Sequence, residues 1–383
     1  MKCAPDYLLR AIGDKHYLMP YGQAIAIHKR GMEVNDTGAL IWRLLEQNCT
    51  LSEVIHYCAT EYEVSPEELP ELQEDIMQFL NLLIREGLLT AGDTEDTNPE
   101  KHFYTIAGLN LCLKCNSDII SENLAAFASG SADTIIPDQT IRVKTECLTH
   151  EDHEAQLIDT TYCKVYESAN SFHLVFPTNK NVMEAVIWKN LSLTEYRVVP
   201  PYSKECQEEF FHALRLNFLY LASRHEMIVL HSASILYKDK AYLFSGHSGM
   251  GKSTHTNHWK DLFDTRILNG DLNLIALENG APVVKGIPWC GTSGICNTET
   301  HPLGGIVLLT QAATNYVVDL PYAEQVLLVN KRLISPSWDP VLFDLNLMVT
   351  NKIAPKTLIC KLCCTKESEA AVIMKNYIDS HLD

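Results

Sequence analysis

No apolar run in this 383-residue sequence is long enough to span a bilayer. The opening residues, Met1-Lys2-Cys3-Ala4-Pro5, lack the charged and apolar regions of a secretion signal. A soluble, cytoplasmic protein without membrane contact is therefore expected. Positive charge is scarce: 31 Lys and Arg stand against 48 Asp and Glu, for a formal net charge of −17. Nucleic-acid binding draws on clustered cations, so nucleic acid is not an expected partner. Internal repeats and low-complexity tracts are missing too. Cysteine, by contrast, is plentiful. The 13 cysteines cannot all pair, and a cytosol keeps them reduced. Two Cys-x-x-Cys pairs, Cys112/Cys115 and Cys360/Cys363, sit in strand-like runs without the glycine-rich turn of a zinc ribbon. Positions three apart on a strand face opposite sides, so core thiols are expected there in preference to a metal site.

The length calls for more than one domain. Residues 1–90 read as short strands (17–20, 24–27 and 32–34) and three helices. The first helix runs from about Thr37 to Glu46. The second opens on Thr50 and Glu53, the third on Ser65, Pro66 and Glu68, each with the reciprocal spacing of a capping box. A winged-helix-like domain is predicted. Residues 91–102 have almost nothing to bury and read as a linker. Residues 103–200 carry short strand-like runs and form a mainly β region. Residues 201–383 open on a helix, 208–224, followed by strands 228–236 and 241–244. The predicted fold class is α+β, with the small N-terminal domain followed by a mixed α/β domain built on a phosphate loop.

That loop is Gly246-His247-Ser248-Gly249-Met250-Gly251-Lys252-Ser253. It follows the apolar run 241–244 and leads through Thr254 into a segment able to start a helix, the context the motif requires. Glycines let successive N–H groups point at one anion, and the helix N-terminus adds its positive dipole end. In such a loop Lys252 reaches the β- and γ-phosphates and Ser253 binds Mg²⁺, which makes ATP and Mg²⁺ the expected cofactors. Phosphoryl transfer also needs an acid. Asp271 ends the short run 266–268 in Asn269-Gly270-Asp271, a place suited to metal coordination or base duty, with an ordinary Asn-Gly-Asp turn as the lesser alternative. His231 stands on the strand leading toward the loop, either a hydrogen-bonded core residue or a catalytic one. His255 and His258 lack a third ligand and read as packing and surface residues. The glycine-rich stretch 286–294 reads as a substrate loop or as a plain turn around packed Trp289. Lys331 and Arg332 are candidate cations for transferred charge, with nothing to separate them from other surface pairs.

Two resemblances complete the sequence reading. Residues 203–310 resemble the kinase domain of HPr kinase/phosphorylase, a fold shared with phosphoenolpyruvate carboxykinase, through His231-Ser232-Ala233, the loop residues Gly246, Gly251, Lys252 and Ser253, and Gly270-Asp271. The resemblance implies that His231 lies close to the metal and the transferred phosphate. That family usually has two adjacent acids; here Leu272 holds the second position, leaving Asp271 as base, metal ligand or both. Neither the HPr kinase C-terminal signature nor the oxaloacetate-binding arginines are visible, so neither of those substrates is expected. The first ninety residues resemble PqqD-like peptide-recognition domains through 34–39, Ile41-Trp42, 62–67 and Gly87-Leu88-Leu89. Such domains take a leader peptide as an extra strand, here expected near Met32–Asn35 and the 66–86 helix. A DNA-binding winged helix has the same outline, but Glu67, Glu68, Glu71, Glu74 and Asp75 make the third helix acidic. The combined expectation is an ATP-dependent kinase acting on a Ser or Thr hydroxyl of a ribosomally made precursor peptide. Nucleotidyl transfer, phosphorylation followed by elimination, and a nucleotide-gated leader chaperone remain open alternatives.

Overall fold

The computed structural model describes residues 2–22, 25, 30–47, 49, 51–65, 68–86, 88–90, 100–130, 136–145, 147–247 and 249–381. It is a mixed α/β chain that divides into two compact units. One comprises Met1–Thr105, Leu109–Ser121 and Ala128–Phe211; the other comprises Ile106–Gly108, Glu122–Phe127 and His212–Asp383. The N-terminal region and the mainly β region thus fall within a single unit. Among the described residues no helix is long and apolar enough to cross a membrane.

In the first unit, strands Tyr7–Ile12, Lys15–Pro20 and Met32–Val34 form a small antiparallel sheet, with Met32–Val34 at one edge. The 7–12 strand was not legible in the sequence because its later residues are exposed and alternate weakly. The strand expected at 24–27 lies outside the described residues apart from Ile25, which is exposed and helical. Helix Asp36–Glu46 is capped by the Asn35 side chain, which accepts from the Gly38 amide at 2.8 Å. Its spacing puts Leu40, Ile41, Trp42, Leu44 and Leu45 into the core. Helices Leu51–Glu61 and Leu69–Arg85 follow. Only half of the expected capping box forms at Ser65: Glu68 Oε2 accepts from the Ser65 amide at 3.1 Å and from its hydroxyl at 2.7 Å, while the Glu68 amide donates to the Ser65 carbonyl at 3.1 Å and not to the hydroxyl. The helix itself begins only at Leu69, with Pro70 in its first turn, where a missing N–H costs nothing. Thr50, Pro66, Glu67, Gly87 and the core of the expected linker, 91–99, lie outside the described residues. Lys101 and His102, expected in that linker, instead open strand Lys101–Ile106.

That strand begins an eight-stranded sheet. The single strand expected over 106–112 is a hairpin corner: Ala107 and Gly108 take positive φ and separate Lys101–Ile106 from Leu109–Lys114. The sheet continues through Gln139–Lys144, Leu193–Val198, Val182–Trp188, Ser171–Val175, Lys164–Glu167 and Ala155–Asp159. Cys112 and Cys115 are free and buried here, as Cys360, Cys363 and Cys364 are in the second unit. Cys147 is the one exposed cysteine of the chain.

The second unit is built around strand Lys240–Ser245. It pairs antiparallel with Ile228–Tyr237 and parallel with Thr300–Gln311, which in turn runs parallel to Leu358–Cys364. The first two join through Lys238 and Asp239, both at positive φ, the turn geometry that matches strand twist. Both sheet faces are covered, which is why these strands read as continuous apolar runs. Tyr242, Phe244, Val307, Leu309, Cys360 and Leu362 pack with residues of helices Lys252–Phe263 and Glu369–Asp379. Leu243, Ile306, Leu308 and Ile359 pack on the opposite face with helices Tyr322–Asn330 and Pro340–Ile353.

Candidate active site

Strand Lys240–Ser245 delivers the chain into the glycine-rich loop, and helix Lys252–Phe263 leaves it. Gly249 and Gly251 have φ of 79° and 86°, backbone that other residues rarely adopt, and Gly251 is the helix N-cap. The Met250 amide donates to the His247 carbonyl at 3.1 Å, closing the curl. Lys252 Nζ donates to the Gly246 carbonyl at 3.2 Å, so the ammonium lies across the loop's own backbone. Burial holds the Lys252 pKa below the ordinary lysine range, opposed by Asp271 and assisted by Arg332. A cavity of about 1000 Å³ opens beside the loop, at the upper end of the range for small-molecule sites. Gly249, Met250, Gly251, Lys252, Ser253 and Thr254 all line it. Gly246 is buried, His247 is exposed, and Ser248 lies outside the described residues.

His231, on strand Ile228–Tyr237, and Asp271, in the turn after strand Arg266–Asn269, reach the same cavity. The His231 amide donates to the Arg332 carbonyl at 3.0 Å, and its carbonyl accepts from Ser245 Oγ at 2.7 Å. The residue is thereby fixed to the strand that feeds the loop. Asp271 follows strand Arg266–Asn269 in a turn closed by Asn269 Oδ1, which accepts from the Asp271 and Leu272 amides at 2.9 and 3.2 Å. The Asn-Gly-Asp segment is therefore an ordinary Asx-type turn, and that turn is what presents the carboxylate. His231 Nε2 lies 3.2 Å from Asp271 Oδ1, each side chain about one-third exposed. The hydrogen bond from His231 holds the Asp271 carboxyl below the usual carboxylate range, with Lys252 and Arg215 adding to the effect. Leu272, where a second acid was absent from the sequence, is buried and pairs with His231 across the ladder.

In the 286–294 segment the packed Trp289 is found, and the residues after it reach the cavity. Trp289 is buried against Phe218, ring centroids 4.9 Å apart, while Thr292, Ser293 and Ile295 line the cavity. The segment closes onto the acid-bearing turn. A Cβ on Gly270 would lie 2.1 Å from Ser293 Oγ, and one on Gly291, at φ 61°, would lie 2.8 Å from Asp271 Cβ. His255 is buried with Nε2 3.1 Å from Cys364 Sγ, and His258 Nε2 contacts the Lys366 carbonyl at 2.9 Å. Gln311, Ala312, Cys364, Thr365 and Lys366, which carry no local sequence signal, also line the cavity. They stand at the C-terminal ends of the two strands parallel to Lys240–Ser245, where open α/β sheets gather their sites. Strand order could have revealed them; local sequence could not.

Residues 23–89 match the family model of coenzyme PQQ synthesis protein D, so the N-terminus carries a PqqD domain. Among solved structures, TbiB1 in complex with the TbiA(beta) leader peptide is similar at 23% identity, over 24% of this chain and 100% of its own, with a TM-score of 0.21. The Hpr(Ser) kinase/phosphatase from Coxiella burnetii is similar at 9% identity, over 40% of this chain and 99% of its own, with a TM-score of 0.24. Among curated proteins none matches the chain.

Proposed function

We propose that the chain is an ATP-dependent kinase that phosphorylates a Ser or Thr hydroxyl of a ribosomally made precursor peptide. The observation that carries this reading is the convergence of Lys252, Ser253, His231 and Asp271 on one cavity beside a glycine-rich strand–loop–helix turn. The loop amides and the N-terminus of helix Lys252–Phe263 hold the triphosphate, and Lys252 neutralises charge on the transferred phosphoryl group. Ser253 and Asp271 offer hard oxygen donors within the same cavity and fit Mg²⁺, which supplies charge neutralisation when bound. The acceptor oxygen attacks the γ-phosphorus as the bond to the β,γ-bridging oxygen breaks and ADP departs. Asp271 takes the acceptor's proton. His231 orients the Asp271 carboxylate through their 3.2 Å contact.

The PqqD domain supports the peptide assignment. Strand Met32–Val34 has a partner only on its Lys15–Pro20 side among the described residues, which leaves an edge open to strand addition by a leader. Holding the leader raises the local concentration of the attached core at the cavity. The test is mass spectrometry of the precursor after incubation with ATP and Mg²⁺. A gain of one phosphoryl group supports the kinase reading. A gain of a nucleotide, a loss of water, or no change despite binding would replace it with nucleotidyl transfer, elimination or a chaperone, respectively.

A further inference from the structure

A second cluster of chemistry-bearing side chains lies in the eight-stranded sheet of the first unit, and the proposed reaction does not use it. His150, His153 and His173 each bring one ring nitrogen to within 4.8 Å of the others. His173, on strand Ser171–Val175, is only 4% exposed. Its Nε2 lies 2.7 Å from Glu184 Oε2 on the adjacent strand, and its Nδ1 lies 3.0 Å from His153 Nε2. The His150 ring stacks on both, with centroids 4.6 Å from His153 and 4.3 Å from His173.

A carboxylate behind an imidazole fixes which nitrogen carries the proton. With Nε2–H donated to Glu184, Nδ1 of His173 presents its lone pair toward the other two rings. Nitrogens bound to one tetrahedral zinc ion sit about 3.3 Å apart, given Zn–N bonds of about 2.0–2.1 Å. The His153–His173 separation is close to that value, and the 4.8 Å limit leaves His150 a small rotation away. The loop that carries His150 and His153 is already held in place. Glu184 Oε1 accepts from the Leu148 amide at 3.2 Å, so one carboxylate orients His173 and anchors the loop. Glu151 accepts from the Asn170 amide at 2.8 Å and from its side-chain amide at 2.7 Å. Three imidazoles with one ring nitrogen each within 4.8 Å of the others, one of them backed by an orienting acid, form a donor set that a turn of the stacked His150 ring would bring onto one ion.

We propose that His150, His153 and His173 bind a divalent transition metal, Zn²⁺ in the first instance, clamping the 147–154 loop to the sheet. Three neutral imidazoles suit Zn²⁺ and do not suit Mg²⁺, which demands oxygen ligands. His150 and His153 are exposed, so the fourth position is open to water or to a ligand. The inference is independent of the phosphoryl-transfer reading, since none of its residues belongs to that cavity.

The experiment uses the full-length chain, stripped with chelator and titrated with Zn²⁺, with bound metal counted by mass spectrometry of the elements. The exposed pair His150→Ala/His153→Ala is the first variant, because it leaves the buried ring in place. Glu184→Gln is the second and should weaken Zn²⁺ binding about 10- to 100-fold through His173 alone. The expected result is one Zn²⁺ per chain that the double variant loses, together with a Zn²⁺-dependent rise in melting temperature seen only in the wild type. Co²⁺ in the same site should give visible absorption without the near-ultraviolet charge-transfer band of thiolate ligation. Zn²⁺ bound equally by wild type and double variant would overturn the proposal, as would a thiolate band or the absence of stoichiometric binding.

Discussion

Lys252 has one described side-chain hydrogen bond, to the Gly246 carbonyl, so removing its side chain gives up a single contact within the loop. Lys252→Ala should therefore abolish phosphoryl transfer while shifting the melting temperature by no more than a few degrees, within the ordinary range of a partly exposed substitution. Activity and calorimetry on one preparation check both halves. Asp271 is more sensitive to its surroundings. Its carboxyl pKa is depressed by His231, so the ionised form contributes stability above the unfolded value near ~3.9, and that contribution is lost as pH falls through the folded pKa. Asp271 stays charged across the neutral range, and any acid limb there belongs to another group. In ¹³C NMR its titration midpoint should lie below that of a free Asp and rise in His231→Ala. Asp271→Asn should bind nucleotide yet fail to transfer, and near-normal turnover would move the base elsewhere. These residues were legible in the sequence because each lies within a few positions of a turn or strand end that local rules identify. Arg332, whose carbonyl holds His231 and whose charge acts on Lys252, was not separable from any surface cation. Its role depends on a contact about a hundred positions away in the chain.

At the scale of elements, the tight approach of the 286–294 segment to the acid-bearing turn is a constraint on the site itself. Gly270→Ala places a methyl where Ser293 Oγ now sits, so the segment must move and the acid with it. Activity should fall by at least tenfold, with only a modest loss of stability; unchanged turnover would show that the segment takes no part in shaping the cavity. Trp289→Ala acts differently. It empties a buried site against Phe218 and should cost about 3–5 kcal/mol, read as a lower denaturation midpoint. The strand–loop–helix turn could be read locally because its three parts are contiguous. The cavity wall at Gln311 and at 364–366 could not, since it comes from parallel pairings whose partners lie far apart in the chain. The first two helices begin within a residue of where their spacing puts them, at Asp36 and Leu51, and the third does not. At Ser65 the Glu68 carboxylate folds back onto the Ser65 amide and hydroxyl, and the helix begins only at Leu69.

On the scale of the whole molecule, the N-terminal PqqD domain is not a detachable part. Ile136 packs against its core, Gln47 donates to the Pro137 carbonyl, and Glu53 pairs with Lys101. Deleting residues 1–90 would expose that surface, so point substitution is the cleaner test of leader binding. Val34 is a poor choice because it is buried in the same core, whereas Glu33 stands exposed on the edge strand. Glu33→Lys should raise the apparent KM for full-length precursor while leaving a leaderless core peptide unaffected. Saturating free leader should raise it by a factor on the order of 10². Equal effects on both peptides would assign the domain a structural role. The boundaries expected at 90 and 200 rest on helix and strand periodicity and on the polar run 91–102. Burial between segments that are each polar at their junctions leaves no compositional mark, so the union of the first two regions was invisible to these signals. The cysteine pattern has a practical consequence of its own. Cys147 is the one exposed thiol among the 13 cysteines, with Cys3, Cys163 and Cys296 partly buried, so a maleimide fluorophore under native conditions should label it first, three positions before His150. A paramagnetic ion such as Cu²⁺ captured by the three imidazoles would quench that dye, giving the protein an optical titration that needs no engineered label site.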